Sequence, residues 1–243
     1  MPLFIKLAEC NIQDNIITIT GDKFHHLAKV KRVKTGDAVS ISVNHSLHIG
    51  VISQISENNI FVEVQNSVNA NNENGPKITL AMCMIKGEKM DLVVQKATEI
   101  GVDCIVPLVS KRVVVKLEEN RTASRIERYK RIAESAAEQA ERTTVPTIEN
   151  PKPLKEFLNS INPDALTLFF HERGGCSISK IKDEAAVSTE IVLLIGPEGG
   201  WDSAESELCH SAGAVFISLG KNILRAETAA IAATFVAKNL ANL

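Results

Sequence analysis

An apolar run that ends abruptly in a glycine-rich turn constrains this chain more than any other stretch. Residues 191–195 are all branched aliphatic, which is typical of a strand buried on both faces in a parallel sheet. Residues 196–200 then read Gly-Pro-Glu-Gly-Gly and cannot continue the strand. Because glycine has no Cβ, backbone there can approach a ligand or another segment closely. We therefore predict a central strand with a bare loop at its carboxyl end.

The same pattern occurs again about twenty residues later. Residues 214–219 predict a second buried strand, and residues 220–229 predict a loop that runs into a helix. Two such strand ends in one α/β unit indicate a ligand crevice at the carboxyl edge of the sheet. Neither loop matches the phosphate-binding or dinucleotide-binding glycine patterns, so neither an ATPase nor a classical NAD site is supported.

The chain changes character near residue 70. Residues 1–68 contain short alternating strands and a short helix from Asp22 to Val30, which together predict a small β-barrel. Residues 69–76 are rich in asparagine and end in Gly-Pro, as expected of a linker. Residues 77–243 alternate between strands and helices, so we predict an α/β domain with a mostly parallel sheet.

Several helices and further strands are predicted in this second domain, including strands over 78–84, 104–109 and 166–170. A helix over 88–100 should end at Gly101, a strand should cover 113–117, and a long helix should cover 121–142. Asp202 and Glu205 are spaced as a capping box for a helix over 203–211. The last helix, 226–240, is expected to bury Ile231, Phe235 and either Ala232 or Val236.

Composition excludes several classes of protein. No apolar run approaches the roughly 18 residues that a membrane span needs, and the N-terminus lacks a signal-peptide layout, so a cytoplasmic protein is expected. The 5 cysteines are scattered and odd in number, which argues against a disulfide framework or a metal site. The net charge of −2 argues against indiscriminate coating of nucleic acid but allows a local basic face.

The two glycine loops together resemble the signature pair of the SPOUT superfamily of knotted methyltransferases. More narrowly, the chain resembles the RsmE family, which methylates N3 of a uridine in 16S ribosomal RNA. The resemblance extends to the segments 24–37, 86–102 and 134–142. It implies an N-terminal PUA-like RNA-binding barrel, a C-terminal α/β domain with a deep trefoil knot, bound S-adenosylmethionine and a homodimer. The chain departs from the family at Pro2 and Leu3, where an arginine is usual.

A pocket for the methyl donor is predicted between the two loops. Adenosine needs an apolar slot together with backbone donors and acceptors, and glycines let the main chain approach it. The predicted cofactor-binding residues are Leu194, Ile195, Gly196, Glu198, Gly199, Gly200, Ser218, Leu219, Gly220, Ile223, Leu224 and Thr228. For Thr228, as for Glu227, anchoring the start of the last helix is favoured over a part in the chemistry.

Two charged residues are candidates for the chemistry. Uracil N3 becomes nucleophilic when its proton leaves, and Glu198 is the only carboxylate in the first loop that could accept it. Alternatively, Glu198 caps the following helix or pairs with Arg225. Arg225 could stabilise negative charge on the uracil oxygens, or it could simply pair with Glu198 or Glu227.

Basic residues predict where RNA binds. They cluster in the first domain, near the domain junction and around the long helix, where they could neutralise RNA phosphates. The charges around the long helix could instead form only a solvent-exposed helix face. The predicted RNA-binding residues are His26, Lys29, Lys31, Arg32, Lys86, Lys89, Arg112 and Arg142. Two other functions remain open: a non-catalytic RNA-binding or ribosome-assembly factor, and a methyltransferase acting on a ribose 2′-hydroxyl.

Overall fold

The computed structural model describes residues 2–7, 10, 12–43, 46–69, 75–111, 119–172 and 174–240. The chain forms two compact units, and each has its own sheet and apolar core. The small unit consists of residues 1–73 together with 138–144, and the large unit consists of residues 74–137 and 145–243. The small unit is therefore built from two separate stretches of chain.

The small unit is a mixed sheet of six described strands in the order β1-β4-β5-β6-β3-β2. Its strands are β1 (Leu3–Lys6), β2 (Ile12–Gln13), β3 (Ile16–Ile19), β4 (Ala38–Val43), β5 (Ser46–Ile55) and β6 (Ile60–Asn69). β1 runs parallel to β4, and the other neighbours are antiparallel. Alternate aliphatic side chains of these strands form the core of the unit, which is how half-buried strands are expected to pack.

The short helix of the small unit differs from the prediction. Helix α1 (Gly21–His25) begins after Thr20 and continues as a π-helical turn, His26–Lys31. Phe24 and Leu27 are buried beneath this segment, and the turn ends at Arg32 with a left-handed φ of 54°. The wider turn lets the apolar side chains anchor the segment while its lysines lie in solvent.

Residues 138–144 add a strap to the small unit. Lys23 Nζ lies 2.9 Å from Glu138 Oε1. Ser42 Oγ donates a hydrogen bond of 3.3 Å to the carbonyl oxygen of Thr143. Arg142 is only 8% exposed. The strap is thus held by an ion pair, a hydrogen bond and a buried side chain.

The large unit is a parallel sheet with helices. Its described strands are β7 (Lys77–Cys83), β8 (Cys104–Val109), β9 (Thr147–Ile148), β10 (Lys152–Pro153), β11 (Leu166–Phe170), β12 (Cys176–Ser177), β13 (Glu190–Ile195) and β14 (Val215–Ser218). Its described α-helices are α2 (Lys89–Ile100), α3 (Glu119–Gln139), α4 (Leu154–Ser160), α5 (Lys182–Val187), α6 (Ser203–Ser211) and α7 (Ala226–Asn239). The predicted strand over 113–117 lies outside the described residues.

The strand order of this sheet is β10-β8-β7-β13-β11-β14-β12, with β9 beside β8, and every described pair is parallel. The central strand β13 is buried along residues 191–195. The predicted fold class, an α/β protein with an N-terminal β domain and a parallel C-terminal sheet, is confirmed. The trefoil knot implied by the resemblance stays a prediction, because strand order alone does not define how loops are threaded.

The last helix buries a different face from the predicted one. Phe235 is 56% exposed, and Ile231 is half-buried. Ala230, Ala233 and Ala237 are buried instead. Small side chains let α7 approach α2 and the central strands closely, so alanines rather than the larger residues define the buried face.

Helix α6 begins with the predicted capping box: Asp202 accepts a hydrogen bond from the Ala204 N–H, and Glu205 accepts one from the Asp202 N–H. Gly101 ends α2 in the left-handed region with φ of 113°. Within the described ranges, no helix has both the length and the apolar character needed to cross a membrane.

Candidate active site at the carboxyl ends of three strands

A pocket of about 580 Å³ opens at the carboxyl ends of three adjacent strands in the large unit. In register, Phe170 of β11 lies beside Ile195 of β13 and Ile217 of β14. The loops that follow these strands therefore emerge together. The pocket is lined by residues 170–172, 195–201, 217–220 and 222–227, with Lys89 and Ala229. Its volume is typical of a small-molecule site.

The first wall of the pocket is the glycine loop over residues 196–200, and Trp201 packs against it. Trp201 is 4% exposed, its ring centroid lies 5.1 Å from that of Phe169, and its Nε1 donates a hydrogen bond of 3.2 Å to the Phe170 carbonyl. A Cβ on Gly196 would lie 2.9 Å from Trp201 Nε1. The indole can therefore pack against this loop only because residue 196 has no side chain.

The second wall is the loop after β14. Ser218 Oγ bonds both backbone groups of Gly220, donating to its oxygen at 3.1 Å and accepting from its N–H at 3.3 Å. Gly220 has φ of +120°, a conformation that other residues rarely adopt. Ile223 is 67% exposed at the pocket edge. The exposed side chain of Ile223 could pack against the face of a flat heteroaromatic ring, with the backbone of the loop at its edge.

The third wall was not predicted from the sequence. It consists of Phe170, His171 and Glu172, which follow β11. The His171 ring stacks at 6.1 Å on Phe169 and at 6.4 Å on Phe216. Once β11 was predicted as a parallel strand, its carboxyl end could have been searched for polar residues in the same way as the two glycine-ended strands.

Three charged side chains meet on one side of the pocket. Glu198 Oε1 accepts a hydrogen bond of 3.4 Å from the Lys86 N–H and lies 3.5 Å from Lys89 Nζ. The same Nζ lies 3.8 Å from Glu227 Oε1. Both alternatives considered for Glu198 are wrong: α6 is capped by Asp202, and the described contacts of Glu198 are with these lysines rather than with Arg225.

Arg225 and Glu227 stand at the start of α7 but in different surroundings. Arg225 is the exposed N-cap residue, and no ion pair of its guanidinium is found among the described residues. The Glu227 side chain is 12% exposed, and its Oε2 is buried without a hydrogen-bond partner in the part of the chain that the structure describes. Glu227 is therefore not merely a helix anchor at the surface.

Most of the predicted cofactor residues line the pocket, but two do not. Leu194 is fully buried in an apolar cluster that includes Phe169 and Trp201, because alternate side chains of β13 point to opposite faces of the sheet. Thr228 is exposed on the first turn of α7 and does not line the pocket. Glu198 and Arg225, the two catalytic candidates, are both in the lining.

The predicted RNA-binding residues fall into separate places. His26, Lys29, Lys31 and Arg32 are exposed on and beside the π-helical turn of the small unit. Lys86 is exposed next to the glycine loop, and Lys89 lines the pocket itself. Arg142 is buried in the small unit, where its Nη2 donates a hydrogen bond of 3.2 Å to Thr144 Oγ1. It therefore stabilises the strap and does not offer its charge to RNA at the surface. Arg112 lies outside the described residues.

Comparisons with known proteins identify similar chains over both units. Residues 72–238 match the family described as an RNA methyltransferase domain, and residues 19–65 match the one described as an RNA methyltransferase PUA domain. The chain is 30% identical over 233 residues to ribosomal RNA small subunit methyltransferase E of Bacillus subtilis, covering 93% of this chain and 91% of the relative. The corresponding protein of Mesomycoplasma hyopneumoniae is 31% identical over 219 residues, with 90% and 92% covered.

Two solved structures share the fold along the whole chain. Ribosomal RNA small subunit methyltransferase E from Neisseria gonorrhoeae, bound to S-adenosylmethionine, has a TM-score of 0.84 at 29% identity and covers 99% of this chain and 98% of its own. A methyltransferase from Legionella pneumophila, also in complex with that cofactor, has a TM-score of 0.81 at 28% identity, with 98% and 97% covered.

Proposed function

The chain belongs to the ribosomal RNA small subunit methyltransferase E family, and on that basis we propose that it methylates N3 of a uridine in 16S ribosomal RNA. It is an RNA methyltransferase, and its methyl donor is S-adenosylmethionine. The observation that carries the proposal is the pocket at the ends of β11, β13 and β14, where both glycine loops and both catalytic candidates meet.

The pocket has the chemistry that the methyl donor needs. The loop after β14 brings the main chain of Ser218 and Leu219 to the pocket for an adenine edge, and Ile223 and Leu224 offer apolar surface. When bound, S-adenosylmethionine supplies an electrophilic methyl group on its sulfonium.

Glu198 is proposed to receive the N3 proton. Only its Oε1 is engaged by Lys86 and Lys89 in the described structure, so Oε2 can face an incoming base. Transfer of the methyl group forms the N3–C bond and breaks the S–C bond, and the N3 proton passes to the carboxylate. S-adenosylhomocysteine and the methylated uridine are then the products.

Arg225 is proposed to stabilise the uracil during this step. Loss of the N3 proton spreads negative charge onto the two uracil oxygens. A guanidinium at the pocket edge, with no carboxylate paired to it in the described residues, can donate to one of these oxygens. Arg225 should therefore stabilise the transition state, in which this charge develops, more than the bound uncharged uracil.

The small unit is proposed to be the RNA-binding domain. The match to the PUA description over residues 19–65 supports this role, as do the exposed Lys29, Lys31 and Arg32. The proposed limits remain 1–68 for this domain and 77–243 for the methyltransferase domain. A protein that modifies small-subunit RNA works where ribosomes are made, so the proposal includes a cytoplasmic location.

One labelling experiment distinguishes the proposed activity from its alternatives. The protein is incubated with S-adenosylmethionine labelled in the methyl group and with small ribosomal subunits that lack this modification. We expect the label in 3-methyluridine after digestion to nucleosides. Label on a ribose would contradict the N3 assignment, and tight RNA binding without label would favour the assembly factor. Naked 16S RNA, tested in parallel, identifies the preferred substrate.

A homodimer is the second part of the proposal. The resemblance implies one, and Phe235 on α7 is 56% exposed although a phenylalanine in a helix is usually covered.

We expect light scattering after gel filtration to give twice the 26.4 kDa mass of one chain. Phe235→Lys should shift the protein towards the monomer. Val187→Lys, at a valine that is 82% exposed on α5, is the control and should leave the mass unchanged. A wild-type monomer would contradict the proposal.

A further inference from the structure

A second cleft lies on the large unit, along the helix α3. It has a volume of about 540 Å³, and the described residues that line it are Ser124, Arg125, Glu127, Arg128 and Arg131. The three arginines follow one another at intervals of three residues, so their side chains stand on successive turns along one side of the helix. Three guanidinium groups therefore share this cleft with a single carboxylate.

The charges of the cleft are only partly neutralised by the protein itself. Glu127 Oε1 lies 2.7 Å from Lys130 Nζ, so the one carboxylate of the lining is already engaged by a lysine. No ion pair of Arg125 or Arg131 is found among the residues that the structure describes. Two guanidinium groups thus remain available to an anion that enters the cleft.

Arg128 shows where the cleft lies relative to the active-site pocket. Its Nη2 pairs with Asp91 Oδ2, and Asp91 is in the first turn of α2. The first residue of that helix, Lys89, lines the pocket. Two residues of a helix correspond to a rise of about 3 Å. The cleft and the pocket therefore border the same helical turn.

The three arginines differ in how firmly they are held. Arg125 is half-buried and its Nη1 is covered by the protein, so the accessible remainder of the guanidinium is presented from a packed side chain. The Arg128 side chain is 59% exposed but is held by its pair with Asp91, and Arg131 is exposed. A side chain that is already ordered loses less conformational entropy when it binds a ligand.

The chemistry of the cleft suits phosphate groups of a nucleic-acid strand. The planar guanidinium fork can bind phosphate through two parallel N–H donors. From Arg125 to Arg131 the helix rises by about 9 Å, enough to accompany successive phosphates of one strand. The whole chain has a net charge of −2, so a polyanion is attracted only where cations are locally concentrated. An RNA methyltransferase has to hold the strand beside the nucleotide that it modifies.

We infer that the arginine cleft of α3 binds phosphates of the RNA strand that flanks the target uridine. Arg125 and Arg131 bind phosphate directly, and the pair of Arg128 with Asp91 keeps the cleft beside the active-site pocket. The inference rests on the proposed function for the identity of the RNA, and it adds a binding surface on the large unit to the one proposed on the small unit. Among the basic residues around the long helix, whose role the sequence left open, it selects these three.

Binding to small ribosomal subunits that lack the modification tests this inference. The double variant Arg125→Met/Arg131→Met should bind about tenfold more weakly at about 0.15 M salt, because two phosphate contacts and the counterions that they release are lost. The plot of log affinity against log salt concentration should become shallower by about 1.4 to 1.8. The affinity for S-adenosylhomocysteine should stay within about twofold of the wild type, since neither arginine lines the pocket.

Two further double variants are the controls. Lys155→Met/Lys182→Met also removes two positive charges from exposed positions of the large unit, on α4 and α5, and should leave the salt dependence within about 0.3 of the wild-type slope. Arg125→Lys/Arg131→Lys keeps both charges of the cleft and should restore the wild-type slope to the same extent.

Several outcomes would overturn the inference. They are an unchanged slope in the methionine variant, an equal loss in the Lys155/Lys182 control, and a slope that stays shallow when lysines replace the arginines. Naked 16S RNA should show the same change as the subunits, and a change with subunits alone would identify an acidic ribosomal protein as the partner instead. Methyl transfer by the wild type is measured separately: its absence would contradict the proposed function, while the binding data would still decide the inference.

Discussion

Replacing Arg225 with methionine should lower kcat for RNA methylation by about 100-fold or more, the range observed when one preorganised donor to a developing negative charge is removed. The guanidinium lines the pocket and has no ion pair among the described residues, so its charge is available to the substrate. The affinity for S-adenosylhomocysteine should change by less than about threefold, since the interaction forms only with uracil. Multiple-turnover methylation with saturating small ribosomal subunits measures the first quantity, and calorimetry measures the second.

Lys221→Met is the control for this prediction. Lys221 is an exposed cation in the same loop and does not line the pocket. Its loss removes the same charge from the surface without removing a donor from the site, so kcat should stay within about threefold of the wild type. If both variants lost activity equally, general attraction of RNA would explain the effect, and Arg225 would have no specific role.

Gly196→Val should reduce the affinity for S-adenosylmethionine by about 10- to 100-fold, because overpacking of a buried contact costs about 1–3 kcal/mol and the displaced parts are themselves pocket walls. The added Cβ alone would lie 2.9 Å from Trp201 Nε1. The indole must then move, and its hydrogen bond to the Phe170 carbonyl at the end of β11 is lost. Calorimetry measures the affinity.

Trp201 reports this change directly, because it is the only tryptophan in the sequence. Its fluorescence emission should shift to longer wavelength in Gly196→Val as the indole becomes more exposed. Gly213→Ala is the control: Gly213 has φ of +81°, and a Cβ added there would meet no atom within 4 Å, so only backbone strain is added. That variant should be destabilised by about 1 kcal/mol with unchanged cofactor affinity. Unchanged affinity in Gly196→Val would disprove the assigned wall.

The features that could be predicted from the sequence are those that local residue patterns determine. The strand over 191–195 is buried, the capping box at Asp202 forms, and both glycine loops line one pocket. These features depend on local rules: a fully apolar strand is covered on both faces, and a capping residue needs only its own helix. Loops at neighbouring strand ends meet because the strands are parallel.

Features that depend on partners distant in sequence were not predictable. The Glu198 contact with Lys89 joins residues more than a hundred positions apart, and nothing in either loop indicates it. Phe235 is larger and more apolar than Ala233, yet α7 buries the alanine because the space beside α2 and the central strands is narrow. The buried position of Arg142 depends likewise on a fold in which 138–144 return to the small unit.

The strap over residues 138–144 has a consequence for how the chain folds as it is synthesised. A chain made from its N-terminus has completed β6 well before the strap exists, and β7, α2, β8 and α3 are made in between. Lys23 and Ser42 therefore cannot form their contacts with Glu138 and Thr143 until part of the large unit has been synthesised. The small unit is then not an independent first-folding module, and its final packing is reached only when the nascent chain has grown beyond residue 144.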